Sequence, residues 1–175
     1  MRVEIITGDI TKLNVDAIVN AANNSLTGGG GVDGAIHRAA GLALREYCIN
    51  LRGCETGDAK ITPGFNLTAK FIIHAVGPVW NNGTTREESL LASCYKKSLD
   101  LAVENDITTI AFPCISTGAY RFPFDKAAEI ALTTIGIFLN TNDSIKRILM
   151  VTYDTNDFRK YKRAYDKLGF RENRK

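Results

Sequence analysis

The stretch AIVNAANNSLTGGGGVDGAIHRAA, residues 17–40, decides the fold class. Ala17 to Asn20 continues an apolar run from Val15 and reads as a buried strand. Thr27 to Gly31 is a glycine-rich loop, and Val32 to Ala40 reads as a helix. Four successive glycines, Gly28 to Gly31, let backbone N–H groups turn toward an anion with no Cβ in the way. They run straight into a helix start, whose unpaired N–H groups and dipole favour phosphate. A flexible linker is the competing reading, but linkers do not usually join a buried strand to an amphipathic helix. Gly29 to Gly34 also fits GxGxxG, a weak match because about eight residues separate strand and glycines where the dinucleotide turn is tight. The Gly-Lys-Ser/Thr of a P-loop is missing.

Outward from this unit the chain alternates in the same way. Strands are expected at Arg2 to Ile6, Ala59 to Thr62, Phe71 to Val76, Thr108 to Pro113 and Arg147 to Tyr153. Helices are expected over Leu42 to Leu51, Thr84 to Asn105, Asp125 to Leu139 and Asn156 to Leu168, with Gly41 as a joint after the first helix. In the longest helix Leu90, Leu91, Cys94, Leu99, Leu101 and Ala102 follow a 3.6 period. Strands separated by helices give a three-layer α/β/α sandwich around a central sheet. The apolar runs at Phe71 to Val76 and Ile107 to Pro113 suit strands buried on both faces. Ligands in such sheets sit beyond the carboxyl ends of strands, so the loops there carry the search for chemistry.

Composition bounds the function. With 175 residues, 45% hydrophobic and 23% charged, the chain is one ordinary globular domain over residues 1–170 with a polar, frayed tail at 171–175. A net charge of +3 is too small to argue for nucleic acid or a membrane surface. No run approaches a membrane helix, and no signal peptide is expected at the N-terminus. Cys48, Cys54, Cys94 and Cys114 are scattered, which suits isolated thiols in a reducing, cytoplasmic setting. No CxxC pair exists and His37 and His74 are the only histidines, so no metal site is expected and no cofactor is implied.

Three further features carry chemistry. Asp33, directly after the glycines, is either a helix N-cap or a carboxylate beside a bound diphosphate that orients or deprotonates water. The loop Pro113 to Pro123 offers Ser116, Thr117, Gly118 and Ala119 to wrap a phosphate with backbone amides, with Tyr120 to cover a sugar. Ser116 makes a poor nucleophile, since there is no GxSxG elbow and no histidine with a visible reason to meet it. Gly8-Asp9-Ile10-Thr11 follows the first strand, where Asp9 either starts a turn or accepts a hydrogen bond from a base. At the end of the last strand, Tyr153, Phe158 and Tyr161 are either core or stacking partners for an adenine.

Gly8 to Thr11, VNAAN at Val19 to Asn23, GGGGVDGAIHRAAG at Gly28 to Gly41 and ISTGAY at Ile115 to Tyr120 together resemble the macrodomain family, in order and over nearly the whole chain. VDGAIHRAAG resembles its MacroD-type branch, which includes O-acetyl-ADP-ribose deacetylases. The resemblance implies a mixed, mostly parallel sheet between helices and ADP-ribose held over the strand ends. By it Asp9 takes the adenine amino group with the backbone of Ile10 beside it. Gly30, Gly31 and Val32 line the diphosphate and distal ribose, next to Asn20 at the strand end. Asn23 holds the distal ribose hydroxyls, Ser116 to Tyr120 close the other side, and Asp33 acts on the hydrolytic water. His37 is read as structural. The implied activity is removal of acyl or carboxyl-linked adducts from ADP-ribose, on the metabolite or on mono-ADP-ribosylated proteins. A non-catalytic reader and an ADP-ribose 1″-phosphate phosphatase share the pocket. RNA binding is weaker, because the basic residues are scattered and no RNA-binding motif is present.

Overall fold

The structure, a computed structural model, describes residues 2–170, and the tail at 171–175 lies outside them. Six strands, β1 (Val3–Thr7), β2 (Ala17–Ala21), β3 (Ala59–Pro63), β4 (Phe71–Ala75), β5 (Thr109–Phe112) and β6 (Arg147–Thr152), form one sheet in the order β1-β6-β5-β2-β4-β3. Only β3 runs antiparallel, at the edge beside β4. The five parallel strands therefore present their carboxyl ends on one side of the sheet.

Five helices cover it: α1 (Gly31–Ala40), α2 (Leu42–Asn50), α3 (Glu87–Glu104), α4 (Phe124–Thr141) and α5 (Thr155–Lys167). Side chains alternate along each strand, so each strand feeds two cores. Ala17 and Val19 join Ile73, Ile110, Phe112 and Met150 under α3, α4 and α5. Ile18 joins Ile72, Ala111 and Leu149 under α1 and α2, where Ile36, Leu44 and Cys48 meet it. Each large aliphatic side chain buried in this way contributes about 1.5–3 kcal/mol. The expected mixed α/β/α sandwich is the observed one.

Two local departures have clear causes. The chain was expected to turn helical at Thr84, but α3 starts at Glu87 because Arg86 is left-handed, with φ 64°. The Glu87 carboxylate accepts N–H bonds from Asn81 at 2.6 Å and Thr85 at 3.0 Å, so the preceding residues fold into a turn that this side chain closes. The buried face of α3 also includes Tyr95 and Ser98, while Leu90 and Leu101 are only half-buried. After β1 the turn that Asp9 was read as able to start is a short 3₁₀ turn, Ile10–Lys12, capped by Asp9.

Asp16 ties the sheet together at the end opposite the site. Its Oδ2 accepts from Thr108 N at 3.0 Å, Thr108 Oγ1 at 3.0 Å and Thr109 N at 3.1 Å. Its own N–H donates to Thr109 Oγ1 at 2.7 Å, and its carbonyl accepts from Phe71 N at 3.1 Å. Burial pushes this carboxyl up, but the bonds from Thr108 and Thr109 outweigh it and hold the group below its ordinary 3.8. The unfolded chain then binds the proton more readily, so this stabilisation is present above the ordinary carboxylate range and is lost as pH falls through the folded value. Asp16→Asn should lower stability by about 1.5–3 kcal/mol at neutral pH and flatten the dependence of unfolding on pH below about 4, measured by urea titration across pH.

Candidate active site

The loops after β1, β2, β4, β5 and β6 converge at the carboxyl edge of the sheet. Gly8 N donates to Thr152 O at 3.1 Å, which sets the Asp9 turn beside the end of β6 and Tyr153. Trp80 N donates to Tyr120 O at 2.8 Å, which joins the loop after β4 to the loop after β5.

The glycine loop is fixed from both ends. Asn23 Nδ2 donates to Gly28 O at 3.0 Å, and Asn23 Oδ1 accepts from Ser25 Oγ at 2.8 Å and Leu26 N at 3.1 Å. This leaves one amide hydrogen of Asn23 for anything else. Gly31 is left-handed, with φ 56°, and a side chain on Gly34 would begin 2.5 Å from Gly29 O, so α1 packs directly on the loop. Gly34 N donates to Gly30 O at 3.1 Å, while open space surrounds the Cβ positions of Gly30 and Gly31. Half-buried Val32 follows in the first turn of α1. The helix start is therefore bare backbone, the arrangement an anion needs.

Asp33 is not a helix cap. Gly30 occupies the cap position of α1 with no side-chain bond, and the Asp33 carboxylate turns inward. Its Oδ1 accepts from Asn20 Nδ2 at 2.8 Å and lies 3.5 Å from His37 Nε2. Asp33 is 6% exposed, and burial raises its proton affinity although the Asn20 bond and His37 pull it back. A side chain on Gly29 would begin 3.2 Å from Asp33 Oδ2 and 3.5 Å from Asn23 Nδ2. The missing Cβ of Gly29 thus keeps a gap with a carboxylate oxygen and an amide nitrogen on its border.

Asn20 is itself held from behind. It sits opposite His74 in the β2–β4 pairing, and its Nδ2 also meets His74 Nδ1 at 3.1 Å. His74 Nε2 meets Thr62 Oγ1 of β3 at 3.0 Å. Burial lowers the His74 value to about 3, so the ring stays neutral. A polar line, Thr62–His74–Asn20–Asp33, crosses from the sheet edge to the helix. Sequence reasoning missed Gly29, Gly34, His74 and Thr62. Gly29 and Gly34 lay inside the quoted motif, but nothing along the chain links positions 20, 62 and 74.

The remaining predicted residues divide into inward and outward sets. Asp9 is exposed, and bonds from the Thr11 hydroxyl at 2.7 Å and the Thr11 N–H at 2.9 Å hold its carboxyl below the ordinary range. Ile10 is buried in the core below it. Ser116 is left-handed, with φ 67°, and its Oγ is buried without a hydrogen-bond partner. A Cβ on Gly77 would fall on that oxygen, so Gly77 is what lets this loop settle. Thr117 Oγ1 also turns into its own loop, to Cys114 O at 2.9 Å. Gly118 and Ala119 are exposed, Tyr120 is half-buried, and Phe122 packs against Trp80 with ring centres 4.8 Å apart. Tyr153 is 89% exposed at the site rim, whereas Tyr161 is core. The histidines and cysteines were expected to be dispersed; folding instead brings one ligand atom each from His37, Cys48 and His74 within 4.8 Å of one another.

A bare helix start and a buried, donor-held carboxylate at the carboxyl edge of a mixed sheet define an α/β/α protein built to meet an anionic ligand. The chain belongs to the macro domain family, whose model matches residues 19–131. It is 57% identical over 167 residues to a macro domain-containing protein of Methanosarcina mazei, covering 95% of this chain and 89% of that one. It is 55% identical over 166 residues to the human ADP-ribose glycohydrolase MACROD2, covering 93% of this chain and 39% of that protein. A glycine-to-valine mutant of the Oceanobacillus iheyensis macrodomain, solved with ADPR, matches with a TM-score of 0.91 and 44% identity over 97% of this chain and 94% of that one.

If the Asn20–Asp33 bond stabilises the buried carboxylate as a charge-assisted bond, the two side chains are energetically coupled. A double-mutant cycle of Asn20→Ala and Asp33→Ala, read by denaturant unfolding, should return a coupling of about 1.5–3 kcal/mol. Additive single effects would show that the bond contributes nothing.

Proposed function

We propose that this chain is an ADP-ribose-binding hydrolase that removes acyl or carboxyl-ester adducts from ADP-ribose, with Asp33 positioning the attacking water. The observation that carries this reading is the division of the Asp33 carboxylate. Oδ1 is held by Asn20, and Oδ2 borders the gap that Gly29 leaves beside Asn23 Nδ2. The glycohydrolase name of the human relative supports hydrolysis at ADP-ribose in general, and the ADPR-bound relative supports ADP-ribose as the ligand.

The parts take the following roles. The ionised, exposed Asp9 receives the adenine amino group beside the backbone of Ile10, and Tyr153 offers an exposed ring at the same rim. N–H groups at Gly30, Gly31 and Val32 face the diphosphate. The spare Asn23 amide hydrogen meets a distal ribose hydroxyl, and the loop from Ser116 to Tyr120 closes the opposite side. Water near Asp33 Oδ2 adds to the acyl carbonyl as Asp33 takes its proton, and burial has already raised the affinity of Asp33 for one. The bond from that carbon to the ribose oxygen then breaks, Asp33 returns the proton to that oxygen, and the acid and the ribose hydroxyl leave. The Ser116 hydroxyl is packed against Gly77, so this residue contributes through its backbone and not as a nucleophile. Free thiols at Cys48, Cys54, Cys94 and Cys114 support a reducing, cytoplasmic setting.

Two variants test the scheme. Asp33→Ala should lower single-turnover hydrolysis of O-acetyl-ADP-ribose by about 10²–10⁴-fold while calorimetric affinity for ADP-ribose changes far less. A folded Asp33→Ala protein that turns over at the parental rate would return the non-catalytic reader to first place. Asp9→Ala should weaken ADP-ribose binding by roughly ten- to a hundred-fold, and an unchanged dissociation constant would remove Asp9 from the adenine site.

A further inference from the structure

We propose that His37, Cys48 and His74 form a binding site for a soft tetrahedral divalent cation of the zinc class, and that its occupation silences the adjoining Asp33. The site rests on the hydrolase reading only for that last consequence.

The three ligand atoms come from three different elements, α1, α2 and β4, and lie within 4.8 Å of one another. Cys48 and His74 are fully buried. His37 Nε2 is also buried and has no hydrogen-bond partner, an atom that an interior ordinarily satisfies. It points toward Asp33 Oδ1, 3.5 Å away. Two imidazole nitrogens and a thiolate, with a fourth position left for water, make a donor set that zinc accepts and that magnesium and calcium do not favour. Metal–ligand bonds of about 2.0–2.3 Å place tetrahedral donors about 3.3–3.8 Å apart, so the cluster must contract by about an ångström.

Binding has definite costs. His74 must release either the Asn20 amide at Nδ1 or the Thr62 hydroxyl at Nε2. The Cys48 thiol gives its proton to water, so one proton is liberated per ion from that residue. Arg45 acts electrostatically on His37, but the Asp33 carboxylate and the new thiolate supply two negative charges against it. An ion held there puts positive charge beside the Asp33 carboxylate, which lies 3.5 Å from His37 Nε2, and so lowers its affinity for the water's proton. Hydrolysis should therefore be fastest in excess chelator and slowed by zinc.

The test uses the full chain freed of metal by chelation and dialysis. Cobalt(II) titration should give a thiolate-to-cobalt absorption band that saturates at one ion per chain and is displaced by zinc. The band should vanish in Cys48→Ala, or in Cys48→Ser should that variant fold better, and persist in Cys54→Ala. Zinc should inhibit hydrolysis of O-acetyl-ADP-ribose, chelator should restore it, and Cys48→Ala should hydrolyse at the parental rate with inhibition weakened by about 100-fold or more. Absence of the band, or a band that survives loss of Cys48, overturns the site. Binding without any slowing of hydrolysis overturns the inhibitory role. The spectrum reads the site without reference to turnover, so its failure and a failure of the hydrolase reading are told apart.

Discussion

A carboxylate taken out of water costs several kcal/mol unless donors meet it, and at Asp33 the donor is the amide of Asn20. That contact constrains much of the surrounding structure. Asn20 faces α1 only in the register that sets it opposite His74, and a slip of one residue would turn it to the other core. Asp33 reaches it only if α1 lies close to the glycine loop, which the missing side chain at Gly34 permits. Strand pairing, loop path and helix position are thus joined through one buried polar bond.

Much of the fold could be read from periodicity because the interactions that create it are local or nearly so. Strands such as Phe71–Ala75 are apolar on almost every residue because both faces are covered, and a window of five residues shows that. What sequence did not show was a side chain reaching over several residues to capture backbone N–H groups, as Glu87 does when it takes two from the preceding turn and delays α3. The turn start read at Asp9 is present, with its carboxylate taking Thr11 N–H into a 3₁₀ turn. The reverse direction of β3 was equally hidden, since a short strand carries no mark of its partner's orientation.

The site divides in the same way. Asn23, the glycines and Asp33 lie within eleven residues, so their proximity was legible, although the cap reading of Asp33 could be rejected only once its carboxylate was seen turned inward. The line from Thr62 through His74 to Asn20 was not legible, because it depends on which strands are neighbours. The same holds for His37, Cys48 and His74, which spacing along the chain kept apart and three packed elements bring together. The loop after β5 was read as wrapping a phosphate with its backbone amides, and the buried Ser116 hydroxyl, set against Gly77 by a left-handed backbone, is compatible with that reading.

The two oxygens of Asp33 explain why a buried carboxylate suits this chemistry and what it risks. Oδ1 bonded to Asn20 fixes the rotamer without solvent, so the geometry at Oδ2 needs no reorganisation when a water arrives. The burial that raises the proton affinity of Asp33 also shelters the neighbouring rings and thiol from competing water. A dry pocket with imidazole, thiol and carboxylate in reach is also what a soft cation seeks. The bonds from His74 to Asn20 and Thr62 oppose that outcome, since they occupy both ring nitrogens and an ion must displace one of them. The polar line behind Asp33 therefore positions the carboxylate, and on the roles proposed above it also sets the cost of exchanging a proton-handling site for a metal-binding one.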